Sequence, residues 1–278
     1  MRSLLVAVLA ACCAVSSCAT TSGADKIKEA EGHRQVAAAL VSEAASAADV
    51  VTKDSKYREA LRELLDADKT GAMDSDGRYL LGLVYFVGFR RHDEASRNLQ
   101  QAIALRQQER QEEFPEAENL MGAVLVDAGK AAEALPHFDK ARTNLLYSTP
   151  YFAEQGMGEA LFKLGRHDEA AQHFERALVA QPDLCGAYVK LAEVEISKGD
   201  DARVQQVLAD FLTRCDSERL RAATGASLLA PAYLELGKSR LRTGSKDGAV
   251  DAFKQCVTRF VGEPAAKECD QQMRALSP

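Results

Sequence analysis

The sequence has no tryptophan, and aromatic residues together make up only 6% of its 278 positions. A core of that composition has to be built from alanine and aliphatic side chains, which suits helices packed closely together. Alternating apolar and polar runs of strand length are missing, so nothing points to a sheet. Positive charge is not in surplus either. The 35 Lys and Arg stand against 41 Asp and Glu, a net charge of −6, which gives no footprint for nucleic acid. The apolar run Leu4–Val15 has 12 residues and is too short to span a bilayer. Catalytic patterns are missing as well. The five histidines form no constellation: His92 and His167 fall in turns, His137 and His173 on helices beside the core aromatics. Gly156-Met157-Gly158 has no strand before it and no third glycine at the spacing a dinucleotide needs. There is no Ser-His-Asp arrangement, no phosphate-cradling loop and no Cys-x-x-Cys pair for zinc. These absences argue against an enzyme, a cofactor, a metal or a small-molecule substrate.

What is present is a period. Counted from Tyr151, Met157 and Gly158 fall at positions 7 and 8, Leu161 at 11, Gly165 at 15, Ala170 at 20, Phe174 at 24, Ala177 at 27 and Pro182 at 32. This order resembles the tetratricopeptide repeat. Gly158 and Ala170 let two antiparallel helices approach, Phe174 fills the groove between them, Gly165 turns the chain, and Pro182 opens the next unit. The frame recurs from Pro115 (Met121, Gly122, Leu125, Gly129, Ala134, Phe138, Ala141) and from Cys185 (Leu191, Ala192, Gly199, Val204, Leu208, Phe211). It recurs again from Ala230 (Leu236, Gly237, Gly244, Ala249, Phe253, Cys256). A frame from Ser75 gives Leu81, Gly82 and Tyr85, then slips by one residue to Ala95 and Ala102, and a frame from Val41 gives Ala47, Ala48, Ala60, Leu64 and Ala67. Arg-His-Asp-Glu-Ala stands at equivalent turns, 91–95 and 166–170. The chain therefore reads as all-α: a right-handed α-solenoid of about six tetratricopeptide-repeat hairpins, starting near 41, 75, 115, 151, 185 and 230. A capping helix over 264–276 covers the last apolar face. Between the elements, 106–113 reads as a helix extension, and 216–229 as an insertion with one helical turn at 217–220.

The N-terminal segment reads as a targeting signal over residues 1–17. Arg2 supplies positive charge, the apolar run follows, and Val15-Ser16-Ser17-Cys18 closes it. That tetrapeptide resembles the bacterial lipobox. The resemblance implies diacylglycerol on the Cys18 sulfur, cleavage before Cys18 and acylation of the new amino group; an ordinary secretory signal cut after small residues is the plainer reading. Loss of Arg2 leaves 34 basic against 41 acidic residues, a charge of −7. Ala19, where a sorting aspartate would retain a lipoprotein at the inner membrane, favours the outer one. Residues 18–27 are expected to be a lipidated N-terminus and flexible tether, and an alanine-rich helix is expected from about Lys28 to Val51, with its hairpin partner from near Lys56.

Four cysteines remain, Cys185, Cys215, Cys256 and Cys269, and an even number in an exported chain points to disulfides with three possible connectivities. Cys185 opens the first helix of a repeat and Cys215 closes its second, so the two ends lie side by side. Cys256 is late in the last hairpin and Cys269 is in the helix folding back over it. The frame predicts Cys185–Cys215 and Cys256–Cys269; free structural thiols and a metal site are the alternatives.

In repeats of this kind the first helices line a concave groove. Tyr79, Leu83, Phe86 and Val87 from the second repeat, Asn119 and Val126 from the third, and Phe152, Gln155, Glu159 and Phe162 from the fourth would face it. Such a row suits an apolar peptide or helix, though Tyr79, Leu83 and Phe86 could equally pack as core. With the lipobox and the repeat count, the chain resembles the type IV pilus assembly lipoproteins, the pilotins of the PilF, PilW and Tgl type. The resemblance implies an outer-membrane lipoprotein facing the periplasm, its covalent lipid in place of any cofactor. It would bind secretin subunits and promote their multimerisation and insertion. A lipoprotein adaptor in peptidoglycan synthesis or outer-membrane protein assembly is the alternative with the same architecture.

Overall fold

The computed structural model describes residues 22–276, which contain fourteen α-helices and no strand. The lipobox Val15–Cys18 lies outside the described residues. The chain divides into two compact units at Met73 and Asp74.

The first unit is one hairpin, α1 (Gly23–Ser46) and α2 (Val50–Lys69). The tether expected over 18–27 is already helical from Gly23, because Ser22 and Asp25 form a reciprocal capping box that satisfies the first free N–H groups. The hairpin break also differs from the expectation. It falls at 47–49, where Asp49 caps α2 through Thr52 N–H at 2.8 Å, so no first helix starts near 41 and none runs on to Val51. Alanines were a poor guide to phase here. The buried ones, Ala30, Ala37 and Ala44, recur every seven residues along α1, and α2 buries Tyr57, Ala60, Leu64 and Ala67. His33 Nδ1 meets Glu63 across the hairpin at 2.7 Å.

The second unit is a right-handed array of hairpins in which each helix packs on its neighbours in sequence. Its elements are α3 (Ser75–Leu83), running into a π-helical turn at Val84–Gly88, and α4 (His92–Arg110). Then follow α5 (Pro115–Asp127) and α6 (Ala131–Thr143), α7 (Pro150–Lys163) and α8 (His167–Ala180), and α9 (Cys185–Lys198) and α10 (Asp201–Cys215). The one-turn α11 (Arg221–Thr224) precedes α12 (Ala226–Arg242) and α13 (Lys246–Arg259), and α14 (Pro264–Leu276) closes the array.

Position 24 of each repeat is Leu99, Phe138, Phe174, Leu208 or Phe253, and all five are buried. Each needs a small residue on the first helix of its own hairpin. A Cβ on Gly122 would lie 2.6 Å from the Phe138 ring, and one on Gly237 would lie 2.3 Å from Phe253. The one-residue slip in the second repeat is the π turn: it inserts a residue before α4, and Arg91 N–H reaches back to Tyr85 O at 2.9 Å. Arg90 takes the left-handed conformation, φ 54°, that Gly165 takes at the equivalent turn.

The extension of α4 runs through Arg110 and folds back on α3. Arg106 lies 3.9 Å over the Phe114 ring and pairs with Asp76, while Glu109 accepts the Ser75 hydroxyl at 2.7 Å. The insertion over 216–229 has its helical turn at Arg221–Thr224 rather than 217–220. Asp216 holds it: the buried carboxylate accepts from Arg221 at 2.7 Å, Tyr233 at 2.8 Å and Arg259 at 2.6 Å. Beside it, Cys185 and Cys215 are disulfide-bonded, and Cys256 is bonded to Cys269, which fastens α14 to the last hairpin.

Candidate partner-binding groove

The first helices α5 and α7 face each other across a cavity of about 430 Å³. Phe86 of the π turn closes one side and Lys190 of α9 the other, with Asn119, Val126, Phe152, Gln155 and Glu159 among the lining residues. Six of the ten residues expected in the groove therefore come together. The small residues of the first helices make the cavity: Gly156 and Ala123 leave the Phe138 ring visible at its floor.

The other four lie elsewhere. Tyr79 packs its ring at a tilt against Phe114, centroids 5.3 Å apart, and burial pushes its hydroxyl up to about 12. Leu83 and Phe162 are half-buried against the core, and Val87 is exposed. A π turn shifts every following side chain round the helix by one position, which separates Val87 from the row that a regular helix would have made.

The groove mixes apolar and polar surface. Phe152 is 44% exposed, while Val126 is buried in the wall. The buried Asn119 Oδ1 has no hydrogen-bond partner, and Gln155 donates to Glu159 at 2.8 Å. On the rim, Asp127 accepts from His92 at 2.5 Å and from Arg90 at 2.6 Å. The His92 hydrogen bond holds the Asp127 carboxyl below its usual range, against partial burial and with help from Arg90. His167, in the second copy of Arg-His-Asp-Glu-Ala, pairs with Ser197 of the next first helix at 3.1 Å and packs against Phe162. The pentapeptide thus ties one repeat to the next at the groove's edge.

Four of the five histidines meet a carboxylate on another helix, an arrangement the sequence reading missed. Glu118 pairs with His137 at 2.5 Å and Lys140 at 3.1 Å; Glu154 pairs with His173 at 2.6 Å and Arg176 at 3.3 Å. The signal was available, because each member of the second trio follows its counterpart by 36 residues. No group of three or more His, Cys, Asp and Glu that could hold a metal occurs among the described residues. None of their helices is long and apolar enough to cross a membrane.

Tetratricopeptide-repeat family models match residues 153–184 and 231–261. No functionally curated protein matches the sequence. Among solved structures the fold is shared with PilW, described as a widely conserved type IV pilus biogenesis factor, at 20% identity and a TM-score of 0.69 over 86% of this chain and 97% of that one. It is also shared with PilF of Pseudomonas aeruginosa, at 13% identity and a TM-score of 0.65 over 89% and 99% of the two chains. The C-terminal part of a tetratricopeptide-repeat protein from Cytophaga hutchinsonii aligns at 12% identity and a TM-score of 0.57 over 89% and 97%. The chain carries tetratricopeptide repeats and has the fold of PilW and PilF.

Proposed function

We propose that the protein is an outer-membrane lipoprotein, acylated at Cys18 and facing the periplasm, that serves type IV pilus assembly by binding secretin subunits and promoting their multimerisation. The observation that carries this reading is the groove between α5 and α7, which offers Phe86 and Phe152 together with the polar side chains of Gln155 and Glu159. Apolar side chains of a partner segment would cover the rings, and its polar groups would meet the Gln155–Glu159 pair. The shared fold with PilW and the lipobox-like Val15-Ser16-Ser17-Cys18 support the pilus and membrane parts of the reading.

Magnitudes shape the mechanism. Full burial of a phenylalanine is worth about 1.5–3 kcal/mol, and Phe152 has less than half its surface left to cover. One ring therefore supplies only on the order of 1 kcal/mol, and several weak contacts must act together. That suits a chaperone, which has to release the subunit once it multimerises. The acyl chains would concentrate the complex at the bilayer where insertion occurs.

The test is the state of the secretin in a strain lacking the gene, read as heat-resistant multimers in outer-membrane fractions. Multimers should be lost, restored by the wild-type gene, and not restored by Cys18→Ala or Phe152→Asp. Multimers unchanged by the deletion would sink the secretin reading and favour an adaptor elsewhere in the envelope.

A further inference from the structure

In the second unit, antiparallel hairpins put every second-helix C-terminus and every following first-helix N-terminus along one edge. The turns within hairpins form the opposite edge. Four large aliphatic side chains of this unit are more than four-fifths exposed: Leu145 at 99%, Leu146 at 86%, Val179 at 83% and Val261 at 86%. All four lie on the first edge, in the α6–α7 loop, the last turn of α8 and the α13–α14 loop. At the opposite edge the most exposed are Val87 at 45% and Leu164 at 40%.

The two leucines are an addition to the repeat. Frames at Pro115 and Tyr151 are 36 residues apart, against 34 for the next pair, and the α6–α7 loop has six residues where the α8–α9 loop has four. The addition is hydrogen-bonded in place. Leu146 N–H donates to Asn144 Oδ1 at 2.9 Å, Asn144 Nδ2 donates to Glu113 at 2.6 Å, and Tyr147 is buried. The loop therefore presents both leucines to solvent instead of folding them inward.

We infer that this edge seats on the surface of a lipid bilayer, with Leu145 and Leu146 inserted among the acyl chains and Val179 and Val261 as shallower contacts. The four side chains project from three separate places along the edge, the two leucines side by side on one loop, so a fluid phase that moulds around each fits better than a single folded partner. Every arginine near the insertion on this edge is paired, Arg214 and Arg219 with Asp183, and Arg221 and Arg259 with Asp216, so they leave no basic cluster free for lipid headgroups there. Seating would thus depend on apolar insertion more than on lipid charge. Proximity rests on the anchored reading: from an acylated Cys18 to the α1 cap at Ser22 is four residue steps, at most about 14 Å, which keeps the protein at the bilayer.

The chain has no tryptophan, so Leu146→Trp introduces a single reporter. The protein, purified from membranes, is reconstituted in vesicles of phosphatidylethanolamine and phosphatidylglycerol, with and without dibrominated phosphatidylcholine. The Leu146→Trp emission should shift to the blue and be quenched by the brominated chains, and adding Leu145→Asp should abolish both. Leu164→Trp, on the opposite edge, should do neither. Leu146→Trp emission that stays solvent-like with vesicles overturns the proposal, as does a shift that needs added outer-membrane protein. Mass spectrometry of the Cys18 peptide separates the two readings. A peptide without lipid refutes the anchor, while the reporter in the same vesicles still decides the seating.

Discussion

Gly156 lies on α7 against the ring of Phe138, and a Cβ there would fall 2.2 Å from Cε1. The same ring meets Gly122 of its own hairpin, so two glycines from successive repeats enclose one phenylalanine. Neither glycine is there for flexibility; both leave room. Gly156→Ala should cost about 1–3 kcal/mol through overpacking. Gly186, near the start of α9, has nothing within 4 Å of a Cβ and no positive φ. Gly186→Ala should stabilise by about 0.4–1 kcal/mol by restricting the unfolded chain. Thermal melts of the two variants check both signs; a neutral Gly156→Ala would mean that the Phe138 ring can move aside.

At the scale of the helix pair, the Glu118 and Glu154 trios join the first and second helices of successive hairpins. Burial pushes the Glu118 carboxyl up, but hydrogen bonds from His137 and Lys140 outweigh it and hold it below the usual range. Glu154 behaves alike through His173, with Arg176 and Arg142 adding to it. A lowered folded value means that the stabilisation is complete above the unfolded value of about 4.5 and fades as pH falls through the lowered one. Glu118→Gln and Glu154→Gln should each cost about 1–3 kcal/mol at neutral pH. Their stability should converge on wild type as pH falls below the lowered carboxyl values, as urea titrations at a series of pH values would show. The trios were open to the sequence through their 36-residue spacing, but the packing frame does not single out polar positions. Gly122, Ala134 and Phe138 were legible because packing accepts only their sizes at those positions. The cysteine pairs were legible because hairpin geometry brings their ends together. The first hairpin was misphased because its alanines suit either face of a helix, and its true marks, the Ser22 and Asp49 caps, are short polar signals. In the groove, Phe86, Phe152 and Asn119 fell where expected. Val87 did not, because a one-residue π insertion moves a side chain without changing its type.

For the whole molecule, the covalent cross-links are unevenly placed. Both described disulfides, Cys185–Cys215 and Cys256–Cys269, lie in the C-terminal part of the second unit, whereas the first unit is held by alanine contacts, Leu64, Tyr57 and surface ion pairs such as Lys56–Glu43. Stability in a repeat array is a sum of local terms, so it need not be the same at both ends. Under mechanical load this asymmetry sets an order of failure. Force applied at the N-terminus enters through α1, and each residue that leaves a helix lengthens the chain from about 1.5 to about 3.5 Å. The first hairpin, residues 23–69, should give way as one early step with a contour of about 160 Å, insensitive to reductant. The last steps should lengthen when dithiothreitol is added. Single-molecule pulling reads both. A protein strained between a membrane and a bound partner would then yield in its first hairpin while the groove kept its shape, so that the hairpin works as a shock absorber in the line.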